Sequence, residues 1–219
     1  MYRCEATSLT GFVQQLATVY LRCGYCRAAV GMLPQGKDPA AFDAKQIARY
    51  RLDEMTARER MRRKAGGHAN IQYLRWRRLF VILATDGEDV TFAAEEGHGA
   101  RDLREKPLLV GGYSIRISEG HVHVRIAQEE CLRLKAYLLG LALKRSADKI
   151  GEVFTRLPWQ PYAPVRLQLL GVLAAVNERR KKAGQERVPA AAIRRRRRLV
   201  RPFEPLEAGT GLKGGRRGS

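Results

Sequence analysis

The chain has 219 residues, of which 45% are hydrophobic, and a formal net charge of +19. This length and apolar content predict a folded protein with a real core, built as one domain or two small ones. No run of eighteen apolar residues occurs and the N-terminus lacks the layout of a secretory signal, which excludes a membrane-spanning helix and favours a cytoplasmic protein. The four cysteines are unevenly spaced, which excludes a disulfide framework and fits the same reducing location.

The positive charge is concentrated in two blocks of the sequence. Residues 51–78 hold nine Lys and Arg against three acidic residues, and residues 179–219 hold fourteen against three. Charge that served solubility alone would be spread evenly, so this concentration predicts a polyanionic partner. Nucleic acid is the first candidate, with RNA and DNA left open. An anionic membrane surface is the second, but neither block has the broad apolar face of a membrane-binding helix, so no membrane partner is expected.

The first region, residues 1–67, is predicted to be helical. Apolar residues at helical spacing over 8–22 indicate one helix, and the capping box that begins at Thr56 indicates a short basic helix. Asp38 and Pro39 can start another helix, which runs to about Arg51 and is separated from the basic helix by a short break. These two short helices, of which the second is basic, resemble a helix-turn-helix, and a solvated basic helix on an α+β body is the alternative interpretation. Cys23 and Cys26 follow the first helix, and a thiol pair at a helix C-terminus favours a structural role over a redox one.

A first hairpin is predicted directly after this region. The apolar run 79–84 indicates a buried strand, the acidic and Gly-containing residues 86–89 indicate a turn, and 90–94 would be the return strand. Residues 68–78 interleave aromatic rings with arginines. Such a mixture suits phosphates together with unstacked bases, although rings that point inward and arginines that point outward would give the same pattern.

A second hairpin is predicted over residues 112–126. Polar and apolar residues alternate on both sides of Glu119 and Gly120, which indicates a two-residue turn there. Folding at this turn places Arg116 opposite His123, and it assembles one apolar face and one polar face that carries Arg, His and Ser. The predicted fold class is therefore α+β, with a small antiparallel sheet of about four strands, from two hairpins, packed with helices from both ends of the chain.

Three further helices follow, and after them a basic C-terminal segment. The five adjacent arginines 194–198 indicate an anionic partner, because adjacent guanidinium groups repel one another without anions. The final residues are Gly-rich and basic, a composition typical of disorder. The predicted divisions are a helical region 1–67 that forms one body with a sheet-and-helix region 68–183, a basic arm 184–204 and a disordered tail 205–219.

The candidate nucleic-acid contacts come from the basic helix, the aromatic–arginine strip, the polar face of the second hairpin, the end of the last helix and the arginine run. They are Arg58, Arg62, Arg63, Lys64, Tyr73, Arg75, Trp76, Arg77, Arg78, Arg116, His121, His123, Arg125, Arg179, Arg180, Lys181, Lys182, Arg194, Arg195, Arg196, Arg197 and Arg198. This set predicts a nucleic-acid-binding protein that needs no cofactor, and an enzymatic activity stays open as the alternative.

The His-Val-His sequence of the second hairpin supports an alternative. It resembles the HUH endonucleases, in which two strand histidines hold a divalent metal and a tyrosine attacks the phosphate. The resemblance implies that His121 and His123 bind Mg²⁺ or Mn²⁺ and that Tyr137 or Tyr162 is the nucleophile. Arg116, placed beside His123, opposes cation binding electrostatically. The enzyme would be a metal-dependent endonuclease or transposase acting on single-stranded DNA.

As a whole the chain also resembles uncharacterised basic bacterial reading frames suspected of belonging to mobile elements. This resemblance implies no particular activity. It implies that the protein acts as an accessory component of a mobile element or of a ribonucleoprotein.

Overall fold

The computed structural model describes residues 2–97 and 99–204. The fold is α+β, as predicted, but it contains two antiparallel sheets rather than one, with four strands in the first and three in the second. None of the helices within these ranges combines the length and the apolar character that a membrane crossing requires. The predicted disordered tail, 205–219, lies outside the described residues.

The first half of the chain builds the four-stranded sheet and the helices around it. Its α-helices are α1 (Leu9–Gln15), α2 (Pro39–Arg49), α3 (Ala57–Ala65) and α4 (Val90–Glu96). Its strands are β1 (Tyr25–Met32), β2 (Ile71–Trp76), β3 (Leu79–Thr85) and β4 (Arg101–Asp102). Between α1 and β1 the helix continues as a π-helix (Leu16–Tyr20) and a 3₁₀ turn (Leu21–Cys23), here called segment 16–23.

Local signals fix the helix ends of this half. The Ser8 side chain accepts the Gly11 N–H at the start of α1, and Gly24 ends segment 16–23 with a φ of +91°, which a residue with a Cβ rarely adopts. Thr56 and Glu59 form the predicted capping box of α3. Asp38 caps α2 by accepting from two backbone N–H groups.

The strands of the first sheet lie in the order β2-β3-β1-β4. The prediction of a return strand at 90–94 was wrong, because this stretch is helix α4, whose first turn is capped by the Asp89 side chain accepting the Phe92 N–H. β3 forms a hairpin with β2 instead, through Arg77 at a φ of +55°. Its other edge pairs with β1, a strand that the sequence analysis did not predict. Both edges of β3 are therefore occupied.

The second sheet has the order β5-β6-β7 and contains the predicted second hairpin. Its strands are β5 (Leu108–Val110), β6 (Tyr113–Ser118) and β7 (His121–Ile126). The register is the predicted one, with Arg116 opposite His123 and Ser118 opposite His121. Glu119 and Gly120 both have positive φ, as a two-residue turn of the hairpin type requires.

Leu103 joins the two sheets. Its N–H donates to the Cys26 carbonyl of β1 at 2.8 Å, and its carbonyl accepts the Ile117 N–H of β6 at 2.9 Å. The Leu103 side chain is fully buried. The two sheets are thus linked by one residue that bonds to a strand of each.

Helices α5 (Gln128–Leu141), α6 (Ala147–Arg156) and α7 (Ala163–Lys182) share one apolar core with the second sheet, in which α7 packs against β7 and α5 packs against α7. One apolar core runs from Phe12 in α1 through Ile115 and Val124 to Phe154 and Val176. Regions 1–67 and 68–183 therefore share a core. At the edge of the sheet, Gln168 of α7 bonds both the N–H and the carbonyl of Ile126.

The segment 184–204 is not the free arm that the sequence analysis predicted. Val188 and Ile193 are only 2% and 4% exposed and belong to the main core. The Pro202 carbonyl accepts the Thr7 N–H at 2.9 Å, so the segment runs back to the N-terminus along the body. The alternation of buried apolar residues with exposed arginines lets the same stretch be both core and basic surface.

Candidate functional site

The polar face of the second hairpin is open to solvent, as predicted. Arg116, His121 and Arg125 are exposed, and His123 is half-buried. The Arg116 guanidinium donates to the Arg104 carbonyl from Nε at 3.3 Å and from Nη2 at 3.1 Å. Since residues 103 and 104 run along the β5 side of β6, Arg116 leans away from β7 and His123.

A pocket of about 400 Å³ lies at the turn end of this hairpin. Four separate stretches of the chain meet there: segment 16–23, the turn with the start of β7, the connector before α7, and the arginine run. The polar side chains that line it are Thr18, Arg22, His121, Tyr162 and Arg197. We call it the edge pocket, because β7 is the edge strand of its sheet.

The connector that carries Tyr162 is fixed by the buried Tyr113. The Tyr113 hydroxyl accepts the Gln160 N–H at 2.8 Å, and the rings of Tyr113 and Tyr162 meet edge to face at 6.4 Å between centroids. Tyr113 itself is only 2% exposed, at the start of β6. The hairpin core thus holds Tyr162 in place at the pocket wall.

The arginine run is fixed against the same connector. The Arg194 guanidinium donates to the carbonyls of Trp159 and Leu157, and the Arg198 N–H donates to the Gln160 side-chain oxygen at 3.0 Å. Arg197, which lies between them, places its guanidinium carbon 4.7 Å from the centre of the Tyr162 ring. The run is therefore ordered by carbonyl and aromatic partners, and none of its arginines forms a salt bridge with a described residue.

Cationic groups dominate the edge pocket. Within residues 2–97 and 99–204, neither Arg22 nor Arg197 forms a salt bridge, and the residues that line the pocket include no Asp or Glu. Burial raises the pKa of the Tyr162 phenol, an effect that Arg197 partly opposes. The arrangement offers two guanidinium groups, an imidazole and a neutral phenol to a ligand, a combination suited to an anion that carries a flat ring.

The basic helix α3 presents part of its charge to solvent. Arg58, Arg62 and Lys64 are exposed. Arg63 is tied down, since its Nη2 bonds Asp89 at 2.9 Å and the Ala69 carbonyl at 2.8 Å. Three of the four candidates on this helix are thus available to a ligand.

Two residues of the aromatic–arginine strip are buried, which corrects their prediction as nucleic-acid contacts. Tyr73 is fully buried and donates its hydroxyl to Asp43 at 2.6 Å. Arg75 is 2% exposed and makes a two-pronged ion pair with Asp43, at 2.7 and 2.8 Å. Both face α2, because alternation along β2 sends every second side chain to the covered face of the sheet.

The other residues of the strip lie at the β2–β3 turn. Trp76 is half-buried, and Arg77 is exposed with its guanidinium 5.1 Å from the Trp76 ring. Arg78 is exposed but donates twice to the Leu33 carbonyl, which orients it along the body. None of these three residues lines the edge pocket, so they form a separate basic patch on the surface.

The end of α7 and the rest of the arginine run are mostly exposed. Arg179, Lys181, Lys182, Arg195, Arg196 and Arg198 are exposed. The prediction of Arg180 as a nucleic-acid contact is corrected, because Arg180 is only 3% exposed and donates to the Ala142 and Arg145 carbonyls in the turn that follows α5. A buried guanidinium whose donors are used by backbone carbonyls has a structural role.

The fold places only two of the four residues of the endonuclease alternative in the edge pocket. His121 and Tyr162 both line the edge pocket, whereas His123 points to the polar face and Tyr137 is 56% exposed on α5, outside the pocket lining. Among the described residues no three His, Cys, Asp or Glu side chains are grouped so that they could hold a metal ion. The histidine pair therefore lacks a third ligand there.

Arg22 and Thr18 are site residues that the sequence analysis missed. They lie in an apolar helix whose periodicity indicated only core packing, and a single Arg there is no signal by itself.

Comparisons with protein-family models, with curated proteins and with solved structures gave no match to this chain. The function is therefore argued from the site alone.

Proposed function

We propose that the protein binds nucleic acid, with a phosphate of the strand held in the edge pocket between Arg22 and Arg197. The observation that carries the proposal is that these two guanidinium groups line one pocket with His121 and Tyr162, and that no carboxylate is among the described residues of its lining. Guanidinium groups bind phosphate oxygens through paired N–H donors, and an aromatic side chain contacts a base or sugar next to the phosphate.

The polar face of the second sheet extends this site. His121 belongs to both, so a strand leaving the pocket passes directly onto Arg116 and Arg125. Ser114 and Ser118 lie on the same face and offer hydroxyl groups. The exposed arginines 195, 196 and 198 adjoin the pocket through Arg197 and add phosphate contacts. The working hypothesis for its role remains an accessory component of a mobile element or ribonucleoprotein.

The test is a titration of fluorescently labelled single-stranded RNA and DNA, and of the corresponding duplexes, at several salt concentrations. Each phosphate contact contributes roughly −0.7 to −0.9 to the slope of log affinity against log salt. The Arg22→Ala and Arg197→Ala variants should each weaken binding and reduce the size of this slope by about 1.

Arg133→Ala is the matched control for this test. Arg133 is an exposed arginine of α5 whose side chain is already paired with Glu129 and Glu130. Its removal should leave affinity and slope unchanged. A flat salt dependence, or equal losses for all three variants, would contradict the proposed site.

The metal-dependent endonuclease is the second candidate, and one observation favours it. Tyr162 and His121 line one pocket, as a nucleophile and a metal ligand would have to. The described residues do not fit a metal, however, since no third ligand joins the histidines. A covalent adduct with single-stranded DNA in Mn²⁺, lost in Tyr162→Phe and kept in Tyr137→Phe, would support the endonuclease. No adduct would leave binding as the function.

A further inference from the structure

A second pocket, of about 290 Å³, lies on the other side of segment 16–23. Thr18 and Arg22 of this segment face the edge pocket, whereas Val19, Tyr20 and Cys23 face the second pocket. Helix α3 forms its opposite wall. We call it the α3 pocket. Segment 16–23 is thus a ridge between two pockets, and its π-helical part is a conformation found frequently at functional sites.

The floor of the α3 pocket is polar and has unused hydrogen-bonding capacity. Asn70 is 5% exposed and donates from Nδ2 to the Arg60 carbonyl, but its buried Oδ1 receives no hydrogen bond from any described residue. The Tyr25 hydroxyl accepts the Gln72 Nε2–H at 3.2 Å, and within the described residues its own proton has no acceptor. The Tyr25 hydroxyl therefore offers a free donor at the floor, whereas Asn70 Oδ1 is an unpaired acceptor that is itself covered by the surrounding atoms.

The walls of the α3 pocket are apolar, and its rim is cationic. Val19 on the ridge is 41% exposed and Met61 on α3 is 74% exposed, so the two walls present apolar side chains to the pocket from opposite sides. Arg60 and Lys64 lie four residues apart on the same side of α3 and complete the lining. Neither forms a salt bridge within the described ranges.

We propose that the α3 pocket takes one unstacked nucleobase of a single strand whose phosphate occupies the edge pocket. A base has two apolar faces and an edge that carries acceptors, which matches apolar walls above a floor where the Tyr25 hydroxyl has a free donor. A phosphate next to the base meets Lys64 or Arg60 at the rim. The inference rests on the proposed function and deepens it, since it makes the ligand a single strand rather than a duplex.

The first experiment compares a short single-stranded oligonucleotide with a fully abasic phosphodiester of the same length. Wild-type protein should bind the abasic chain about fivefold or more weakly, because one base no longer fills the pocket. The Val19→Ala, Met61→Ala double variant should lose this difference. Both side chains are exposed, so the variant should fold normally. Leu109→Ala, Leu132→Ala is the matched control, since it also removes two exposed apolar side chains.

The Tyr25→Phe variant tests the floor. It keeps the ring and removes the hydroxyl, so it should weaken binding of the oligonucleotide by about two- to tenfold and leave binding of the abasic chain unchanged. A merely structural role for the hydroxyl would weaken both ligands equally, which would overturn its assignment to the base.

Cys23 supplies an independent readout from the pocket wall. It is exposed, whereas Cys4 and Cys26 are buried, so in a Cys131→Ser background a thiol reagent should modify Cys23 first. The oligonucleotide should slow this modification, and the duplex and the abasic chain should not.

The failures of the two proposals are distinguishable. Equal affinity for the oligonucleotide and the abasic chain, with unprotected Cys23 and binding that still depends on Arg22 and Arg197, would overturn the base pocket and leave the phosphate site in place. If neither ligand binds, both proposals fall.

Discussion

The Arg197 guanidinium lies over the ring of Tyr162, with its central carbon 4.7 Å from the ring centroid. Arg197 comes from a run of five arginines, and Tyr162 comes from a proline-rich connector. The sequence predicted Arg197 as a nucleic-acid contact and Tyr162 as a nucleophile of the alternative endonuclease. Their stacking holds a cation in place without neutralising it. A carboxylate in the same position would hold the arginine but cancel the charge that a phosphate needs.

This contact predicts different effects for two substitutions of Tyr162. Tyr162→Phe keeps the ring beneath Arg197 and should leave affinity for single-stranded nucleic acid unchanged. Tyr162→Ala removes the ring and should weaken binding by about two- to fivefold, the contribution of an exposed cation–π pair. Anisotropy titrations of both variants measure this. If Phe is as damaging as Ala, the hydroxyl rather than the ring is the contributing group.

Removal of residues 190–219 should destabilise the whole fold. Ile193 is buried in the main core, and Arg194 bonds two carbonyls of the connector. The single change Ile193→Ala should already cost about 2–5 kcal/mol. Thermal unfolding monitored by circular dichroism measures both changes. A chain that ends at Glu204 keeps every described contact and is the control. An unchanged transition after the longer truncation would show that the segment is an arm after all.

The buried ion pair between Arg75 and Asp43 should be important for stability rather than for binding. Asp43→Ala leaves a guanidinium buried without its carboxylate and should cost about 3–5 kcal/mol of unfolding free energy in a urea titration. Glu5 bonds the same guanidinium at 3.1 Å but is 59% exposed in its side chain. Glu5→Ala should therefore cost about 1 kcal/mol or less. Similar losses for the two would contradict the assignment.

The Arg104 side chain should make stability depend on pH. It bonds Asp86 and Asp102, and its hydrogen bonds lower the pKa of both carboxyl groups. A carboxyl group whose pKa is lowered by folding stabilises the fold at pH values above its pKa in the unfolded chain, about 3.9. This contribution is lost as the pH falls through the lowered pKa of the folded protein.

Arg104→Ala should therefore be less stable than wild type near neutral pH, by about 1 kcal/mol or less, because the pairs are exposed. The difference should disappear in strong acid, where both carboxyl groups are protonated in either protein. Urea unfolding at neutral and acid pH measures it. A difference that stays constant with pH would show that Arg104 acts through packing.

Much of the local structure could be predicted from the sequence. Alternation around Glu119 and Gly120 gave the hairpin, its turn and the pairing of Arg116 with His123, because side chains in a strand alternate with a period of two. The Thr56 capping box gave α3 because its hydrogen bonds are local. The prediction of a strand at 90–94 failed because β-propensity does not say whether a neighbouring edge is free, and both edges of β3 were taken by β2 and β1.

The sequence by itself determined that this protein is an α+β fold with a concentrated positive charge, since composition and short-range periodicity carry that information. Only the tertiary structure decided which charges face solvent. It buried Arg75 against Asp43 and Arg180 against carbonyls of the turn after α5. It placed Arg197 in one pocket with Arg22, 175 positions earlier in the chain, without a salt bridge to any described residue. The reason is physical: a guanidinium group has the same sequence signature wherever it lies, whereas its partners are set by long-range packing.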